Sequence, residues 1–218
     1  MDHPIEGQAL EINRVPSSAD PAFASLVAIY KEALPGSERK SPALLSQMVA
    51  SPEYIFLSAS LGDLVVGFTI TCRFVGSDAA LLEYMAVARS HRSRGIGRLL
   101  FQATAQSELI AGRFLLAEVD SDKKPSPNRE TNTRRKQFYR GLGGREIELL
   151  DYIMPPVSTA TPPPMDIFVF RHELPAAVEK SRLRNWLICC YVQVYGRPAS
   201  DEHIDAMLDG LPDDLRLI

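Results

Sequence analysis

Between Glu53 and Val87 three strand-like runs follow one another with almost nothing between them: "EYIFLSAS", "DLVVGFTITCRFV" and "ALLEYMAV", joined only by "LGD" and "GSD". β-Branched and aromatic residues favour extended chain, and links this short and this rich in Gly and Asp close hairpins, so the stretch predicts an antiparallel meander. A strict βαβ repeat is thereby excluded. "ALEINRV" reads as a strand before it. "SADPAFASLVAIYKEAL" sets Phe23, Leu26, Ile29 and Tyr30 at helical spacing after a Ser/Asp entry, and Pro35 and Gly36 stop it. "SPALLSQMVAS" predicts a short helix with Ser41 as N-cap and Pro42 at its first position. After the meander Ile96, Leu99, Leu100 and Ala103 carry a helical period to about Ala111. "RFLLAEVD" is then a buried strand, "NTRRKQFYRGLG" a helix, and "REIELLDYI" and "MDIFVFRH" two strands flanking the proline-rich loop "MPPVSTATPPP". The order β-α-α-β-β-β-α-β-α-β-β makes an α/β (α+β) fold with a mixed sheet of about seven strands and no internal repeat.

A chain of 218 residues is long enough for one domain and an appendage, and the composition changes after Pro175, so the expected division is 1–174 and 175–218. In the second part Leu183, Trp186, Leu187, Cys190, Tyr191 and Val194 form one helical stripe ending at Gly196. A second helix is expected from Ser200, through Asp201 and Glu202, to about Gly210. The stripe either packs on the main domain, as amphipathic helices usually do, or makes a homodimer. At 45% hydrophobic and 23% charged residues the composition is that of an ordinary globular protein, and a net charge of −3 provides no basic field for nucleic acid. No apolar run approaches the length of a membrane span, and "MDHPIEGQALEINR" has no apolar signal region, so a cytoplasmic location and no membrane partner are expected. Cys72, Cys189 and Cys190 do not make a disulfide framework. His3, His91, His172 and His203 are scattered, with no HExxH or CxxC among them, and no metal is expected.

The chemistry concentrates in "MAVARSHRSRGIGRLL", Met85 to Leu100, where a strand turns basic, delivers Gly95 and Gly97, and becomes a helix. Glycines let a ligand approach the backbone, and a helix start offers unpaired N–H groups to an anion. The Walker spacing GxxxxGK[ST] is absent, and GxGxxG fails because Leu100 stands at its third glycine. Arg92, Arg94 and Arg98 oppose the helix dipole unless an anion is present; the alternative is a solvated basic face.

"RSRGIG", Arg92 to Gly97, resembles the pyrophosphate signature [QR]xxGx[GA] of the GNAT superfamily of N-acetyltransferases. "LEYMAV" resembles that family's fourth strand. "NTRRKQFYRGLGG" resembles its second signature, in which an asparagine precedes a helical tyrosine by seven residues, as Asn132 precedes Tyr139. The likeness covers roughly residues 8 to 172. It departs at Arg89, where many members have proline, and at Gly143 and Gly144, where many have Gly-Phe.

The resemblance implies a GNAT-like, largely antiparallel sheet flanked by helices, splayed between its fourth strand (Leu81 to Val87) and its fifth (Phe114 to Asp120), with a C-terminal helical extension. It implies acetyl-CoA as co-substrate, its pyrophosphate held by Arg92, Ser93, Arg94, Gly95, Ile96, Gly97 and Arg98 and its pantetheine by the main chain of Met85, Ala86 and Val87, with Asn132 and Tyr139 beside it. Tyr139 resembles the family's general acid; the other reading is a core aromatic. An ammonium acceptor needs a base, or a water relayed to one. Glu83, on one strand face with Met85 and Val87 by alternation, is either that base or a paired structural glutamate. The expected activity is direct transfer of an acetyl or short acyl group, in a ternary complex, to a small-molecule amine or a peptide. The alternatives are a non-catalytic coenzyme A-binding module or a structural interaction protein.

Overall fold

A computed structural model describes residues 9–157 and 161–218. His3, with the rest of residues 1–8, and Ser158, Thr159 and Ala160 of the proline-rich loop lie outside the described residues. Nine strands are described: β1 (Leu10–Arg14), β2 (Tyr54–Leu61), β3 (Leu64–Arg73), β4 (Ala79–Val87), β5 (Phe114–Asp120), β6 (Arg145–Glu146), β7 (Met165–Phe170), β8 (Ala177–Glu179) and β9 (Asp214–Arg216). The helices are α1 (Pro21–Ala33), α2 (Pro42–Ala50), α3 (Ile96–Ala105), α4 (Arg129–Arg140), α5 (Lys180–Cys189) and α6 (Glu202–Leu208). Seven strands form a mixed, mostly antiparallel sheet in the order β1-β2-β3-β4-β5-β7-β6, with β4 parallel to β5. By contact density the chain divides into two compact units, residues 1–73 with 82–111, and residues 74–81 with 112–218.

The first unit holds the meander that the sequence predicts. β1 pairs with β2 (Leu10 opposite Leu61), and β2 with β3 (Tyr54 opposite Cys72, Leu61 opposite Leu64), with a register shift at Ala59/Ser60. Gly62, at φ +55°, makes the tight link between them. α1 begins where Asp20 Oδ1 accepts from Ala22 N at 2.9 Å, and it buries Phe23, Leu26, Ile29 and Tyr30. α2 begins where Ser41 Oγ accepts from Leu44 N, and it buries Leu45, Met48 and Val49. α3 packs Ile96 and Leu100 against Ala59, Leu61 and Val66. Gly67 permits that approach, since a Cβ there would sit 2.9 Å from Leu100 Cδ1 and 3.0 Å from the Ala86 carbonyl. The helix stops at Ala105 rather than near Ala111, where a separate short turn, Glu108–Ile110, takes over.

In the second unit β5 and β7 are antiparallel, Leu115 opposite Phe170 and Ala117 opposite Phe168. β6 is far shorter than "REIELLDYI" predicts. Leu149 stands at φ +66° and breaks the extension; β6 pairs with β7 (Arg145 opposite Val169, Glu146 opposite Phe168), and the backbone of Glu146 and Glu148 bonds also to Ile218 and Arg216. The expected Trp186 stripe is buried within its own unit: Trp186 packs on Phe114 at 4.9 Å between ring centroids and donates Nε1–H to Asp78 at 2.8 Å. The long helix expected there is instead β8, α5 and a π-helical turn, Cys190–Val194, ended by Gly196 at φ +64°. α6 starts at Glu202 with Asp201 as its cap. Among the described residues no helix is long and apolar enough to cross a membrane.

Candidate active site

In the first unit one continuous segment carries eleven of the predicted positions, from Glu83 on β4, through the basic loop, to Arg98 on α3. Along β4 the half-buried residues Glu83, Met85 and Val87 alternate with the buried Leu82, Tyr84 and Ala86, as strand geometry requires. The loop then makes two left-handed steps, Ser93 at φ +63° and Gly95 at φ +79°. Gly95 is the N-cap of α3; it has no side chain to cap the helix, and the first turn contains no acid. The N–H groups of Ile96 and Gly97 lie in that first turn, where no intrahelical acceptor exists. Arg92, Arg94 and Arg98 are exposed around them, and Arg92 Nε donates to the Val87 carbonyl at 3.0 Å, tying the loop to the end of β4. A partly positive, uncapped helix end ringed by three guanidiniums suits a diphosphate.

Glu83 is held more firmly than the sequence reveals. Its side chain is only 4% exposed, with Lys40 Nζ 2.5 Å from Oε1 and the Tyr54 hydroxyl donating to Oε2 at 3.3 Å. Burial pushes its carboxyl above the usual range, against the opposing pull of the Lys40 ammonium. Burial and then the Glu83 charge push the neighbouring Cys72 thiol up to about 12, so Cys72 stays a thiol and is no nucleophile.

In the second unit Asn132 and Tyr139 lie on α4, which begins at Arg129, three residues before the predicted start. Asn132 Nδ2 donates to the Ser121 carbonyl at 3.0 Å, just past the end of β5. Tyr139 is buried, its ring against Phe168 and Phe170, and desolvation raises its phenol to about 12, which keeps it a protonated donor near neutral pH. Gly144 explains one departure from the expected signature: a Cβ there would fall 2.3 Å from the Phe170 ring.

Sequence reasoning missed what anchors this helix. Lys136, 1% exposed, reaches Asp122 at 2.9 Å, Glu146 at 2.9 Å and Asp166 at 2.8 Å, and Lys123 reaches Glu146 at 2.8 Å and Asp166 at 2.6 Å. Acids inside apolar strand runs, Asp166 in "MDIFVF" and Glu146 in "REIELL", were the available signal. A cavity of about 680 Å³ lies elsewhere in the unit, lined by Asp78, Arg113, Arg182 and Asn185 among others, and none of the predicted residues lines it.

Residues 52–143, from the start of the meander through the end of α4, match the family model of the acetyltransferase (GNAT) domain. That stretch is similar to a GNAT acetyltransferase domain. No curated protein matches the sequence. Solved structures share the GNAT domain's fold. A protein assigned to the GNAT family from Bacteroides thetaiotaomicron is 20% identical, with 85% of this chain and 98% of that one covered at a TM-score of 0.69. The ribosomal-protein-S18-alanine N-acetyltransferase of Escherichia coli is 19% identical, with 77% and 99% covered at 0.52. NAA60 of Arabidopsis thaliana, solved with acetyl-CoA, is 12% identical, with 74% and 98% covered at 0.54. Acyl transfer from acyl-CoA is the activity that the GNAT domain implies.

Proposed function

We propose that the protein moves an acetyl or short acyl group from acetyl-CoA to a primary amine, by direct attack while both are bound. The observation that carries this reading is the start of α3 inside a GNAT domain: a left-handed Gly95, no capping side chain, no first-turn acid and three exposed arginines. In this reading the main chain from Ser93 to Gly97 and Arg92, Arg94 and Arg98 hold the pyrophosphate, and the main chain of Met85, Ala86 and Val87 holds pantetheine, assisted by Asn132. The acceptor must lose a proton to attack. Glu83, whose carboxyl burial makes more basic, takes that proton through water, since its own side chain is nearly enclosed. The amine nitrogen bonds to the thioester carbon, the C–S bond breaks, and the Tyr139 phenol gives its proton to the departing sulfur. Holding both reactants together can supply up to roughly 7–11 kcal/mol of the barrier without a covalent enzyme intermediate. The acceptor is a small-molecule amine or a peptide N-terminus, residues 1–174 carry the transfer chemistry, and the protein works in the cytoplasm, where acetyl-CoA is at hand.

A thermal-shift series with acetyl-CoA, coenzyme A and NADH, followed by a thiol-release screen over amines, amino acids, polyamines and peptides, tests the reading. Both coenzyme A forms should raise Tm while NADH does not, and a subset of amines should release thiol. No shift with acetyl-CoA overturns the ligand assignment; a shift with no thiol released from any acceptor overturns catalysis.

A further inference from the structure

A lysine outside every motif sits on the carboxylate assigned as base. Lys40 lies in the connection between α1 and α2, two residues before Pro42 opens α2, and its Nζ stands 2.5 Å from Glu83 Oε1. Both side chains are enclosed, at 7% and 4% exposure, so solvent screens the pair little. The main chain on each side of Lys40 is fixed. Its N–H donates to the Tyr30 hydroxyl at 2.7 Å, the next residue, Ser41, caps α2, and the Tyr84 hydroxyl donates to the Glu38 carbonyl at 3.3 Å. The Tyr30 and Tyr84 rings meet edge to face at 5.0 Å between centroids, so α1 and β4 together hold the connection that delivers the ammonium.

Charge decides what Glu83 can do. The groups that face it are Lys40 from the connection, Tyr30 from α1, Tyr54 from β2, Cys72 from β3 and Tyr84 on β4 itself. Burial is the first cause that pushes the Tyr30 and Tyr54 phenols and the Cys72 thiol up, so these three stay neutral near neutral pH. Lys40 brings a full charge. Burial likewise pushes the Glu83 carboxyl up, and the Lys40 ammonium is the largest pull against it, ahead of the Tyr54 and Tyr84 hydroxyls. A proton acceptor must be ionised before it acts and basic enough to act, and burial alone meets only the second need. Buried ion pairs add little stability over apolar neighbours, so stability is a poor reason for this one, two residues along β4 from Met85 in the strand assigned to pantetheine.

We propose that Lys40 is a positioning residue of the transfer reaction: its ammonium, fixed by the α1–α2 connection, keeps Glu83 an ionised carboxylate and so leaves it ready to take the acceptor's proton. The inference rests on the amine-acetyltransferase reading, which makes Glu83 that proton's acceptor. When the proton arrives Glu83 becomes a neutral acid and the pair goes from neutral to singly positive, while the Lys40 charge stays in place. The ammonium favours the carboxylate over the acid, so it also returns the proton to solvent before the next turnover. The connection between the first two helices thereby serves the β4 site through one side chain.

The test compares Lys40→Gln, which keeps an N–H donor beside Glu83 without the charge, with Lys40→Arg, which keeps the charge. Lys40→Met, nearer in shape to lysine, repeats the comparison where Lys40→Gln folds poorly. Carbon-13 NMR of glutamate-labelled protein, with the Glu83 signal assigned by its loss in Glu83→Gln, reads the carboxyl directly; kcat/KM against pH for the best amine of the thiol-release screen reads its use. In Lys40→Gln the Glu83 midpoint should rise by about one pH unit or more, the scale of losing a neighbouring opposite charge. The acid limb of kcat/KM should move to higher pH by the same amount, so that activity below the limb falls at least about tenfold. Lys40→Arg should keep both near the wild type. Equal activity losses in Lys40→Arg and Lys40→Gln, with neither midpoint moved, would mark a packing role and overturn the inference. An unmoved midpoint in Lys40→Gln, or one that moves without the acid limb, overturns it as well. A wild-type protein that releases no thiol with any acceptor overturns the transferase reading itself, and the two failures are distinct.

Discussion

The two helices that carry the predicted ligand and acid residues begin in opposite ways. α3 starts on a left-handed glycine with no capping side chain, and Arg92 ties the loop before it to the Val87 carbonyl. α4 starts on side chains: Arg129 and Thr133 bond to Asp122, Asn132 bonds to Ser121, and Lys136 gathers Asp122, Glu146 and Asp166. An unfilled helix start leaves its N–H groups for a ligand, whereas one tied down by charge fixes a side chain such as Tyr139 in place. The first design is sensitive to anything that crowds or neutralises it. The second is sensitive to loss of a single charge.

Lys136→Met should break the second design outright and give the largest effect on stability. It leaves three carboxylates around a site that has lost its buried cation, and loss of one partner from a buried ion network costs about 3–5 kcal/mol. Urea unfolding reads this directly; a loss under about 1 kcal/mol would mean that the charges do not hold α4. The pH dependence sharpens the point. Burial works to raise Asp166 and Asp122, yet the bonds from Lys123 and Lys136 to Asp166, and from Lys136 and Thr133 to Asp122, hold both below the usual range. A carboxylate depressed in the folded state adds stability above its unfolded pKa of about 4, and that stability goes as pH falls through the folded value. Tm should therefore drop between pH 5 and 3, and the drop should be shallower in Lys136→Met.

Tyr139→Phe asks whether the side-chain-built helix does chemistry. The ring stays on Phe168 and Phe170, so the fold should keep its stability and acetyl-CoA its affinity, while kcat falls about a hundredfold, or about 2.7 kcal/mol, as loss of a general acid requires. Single-turnover kinetics with unchanged rates would return Tyr139 to the role of a core aromatic.

This contrast also explains what could be read in advance. The glycine loop works through backbone conformation, which only a few residue types permit, so "RSRGIG" shows the α3 site in six consecutive letters. The meander shows itself for the same local reason. The α4 anchor joins Asp122, Lys136, Glu146 and Asp166, residues up to 44 positions apart, and no spacing rule connects them. Lys40 beside Glu83 and Tyr195 beside Glu118 are likewise long-range meetings, made by loops and a π-helical turn that hydrophobic periodicity does not encode. The bonds of Glu146 and Glu148 to residues 216–218 at the far end of the chain are another such meeting.

Gly95→Ala probes the backbone-built helix. Its φ of +79° costs an L-residue about 1–2 kcal/mol, while a Cβ at this point meets nothing of the protein within 4 Å. The open space is where a diphosphate would lie against the N–H groups of Ile96 and Gly97. Acetyl-CoA KM should accordingly rise more than the stability loss predicts, by about tenfold, and isothermal titration would show whether the affinity falls with it.

The smallest effect belongs to Arg94→Gln, and it separates two contributions to the same site. Arg94 is exposed, and a surface substitution of this kind changes stability by less than about 0.5 kcal/mol. If the loop binds the diphosphate mainly through its N–H groups, removing one of three exposed arginines should weaken acetyl-CoA only two- to fivefold, and raising the salt from 50 to 500 mM should erase most of that difference, because exposed charges are screened over about a Debye length. Buried main-chain donors are screened much less, so the Gly95→Ala defect should persist at high salt. A salt-insensitive Arg94→Gln defect as large as that of Gly95→Ala would place the guanidinium in direct, desolvated contact with the phosphates and make α3 a side-chain-built site like α4.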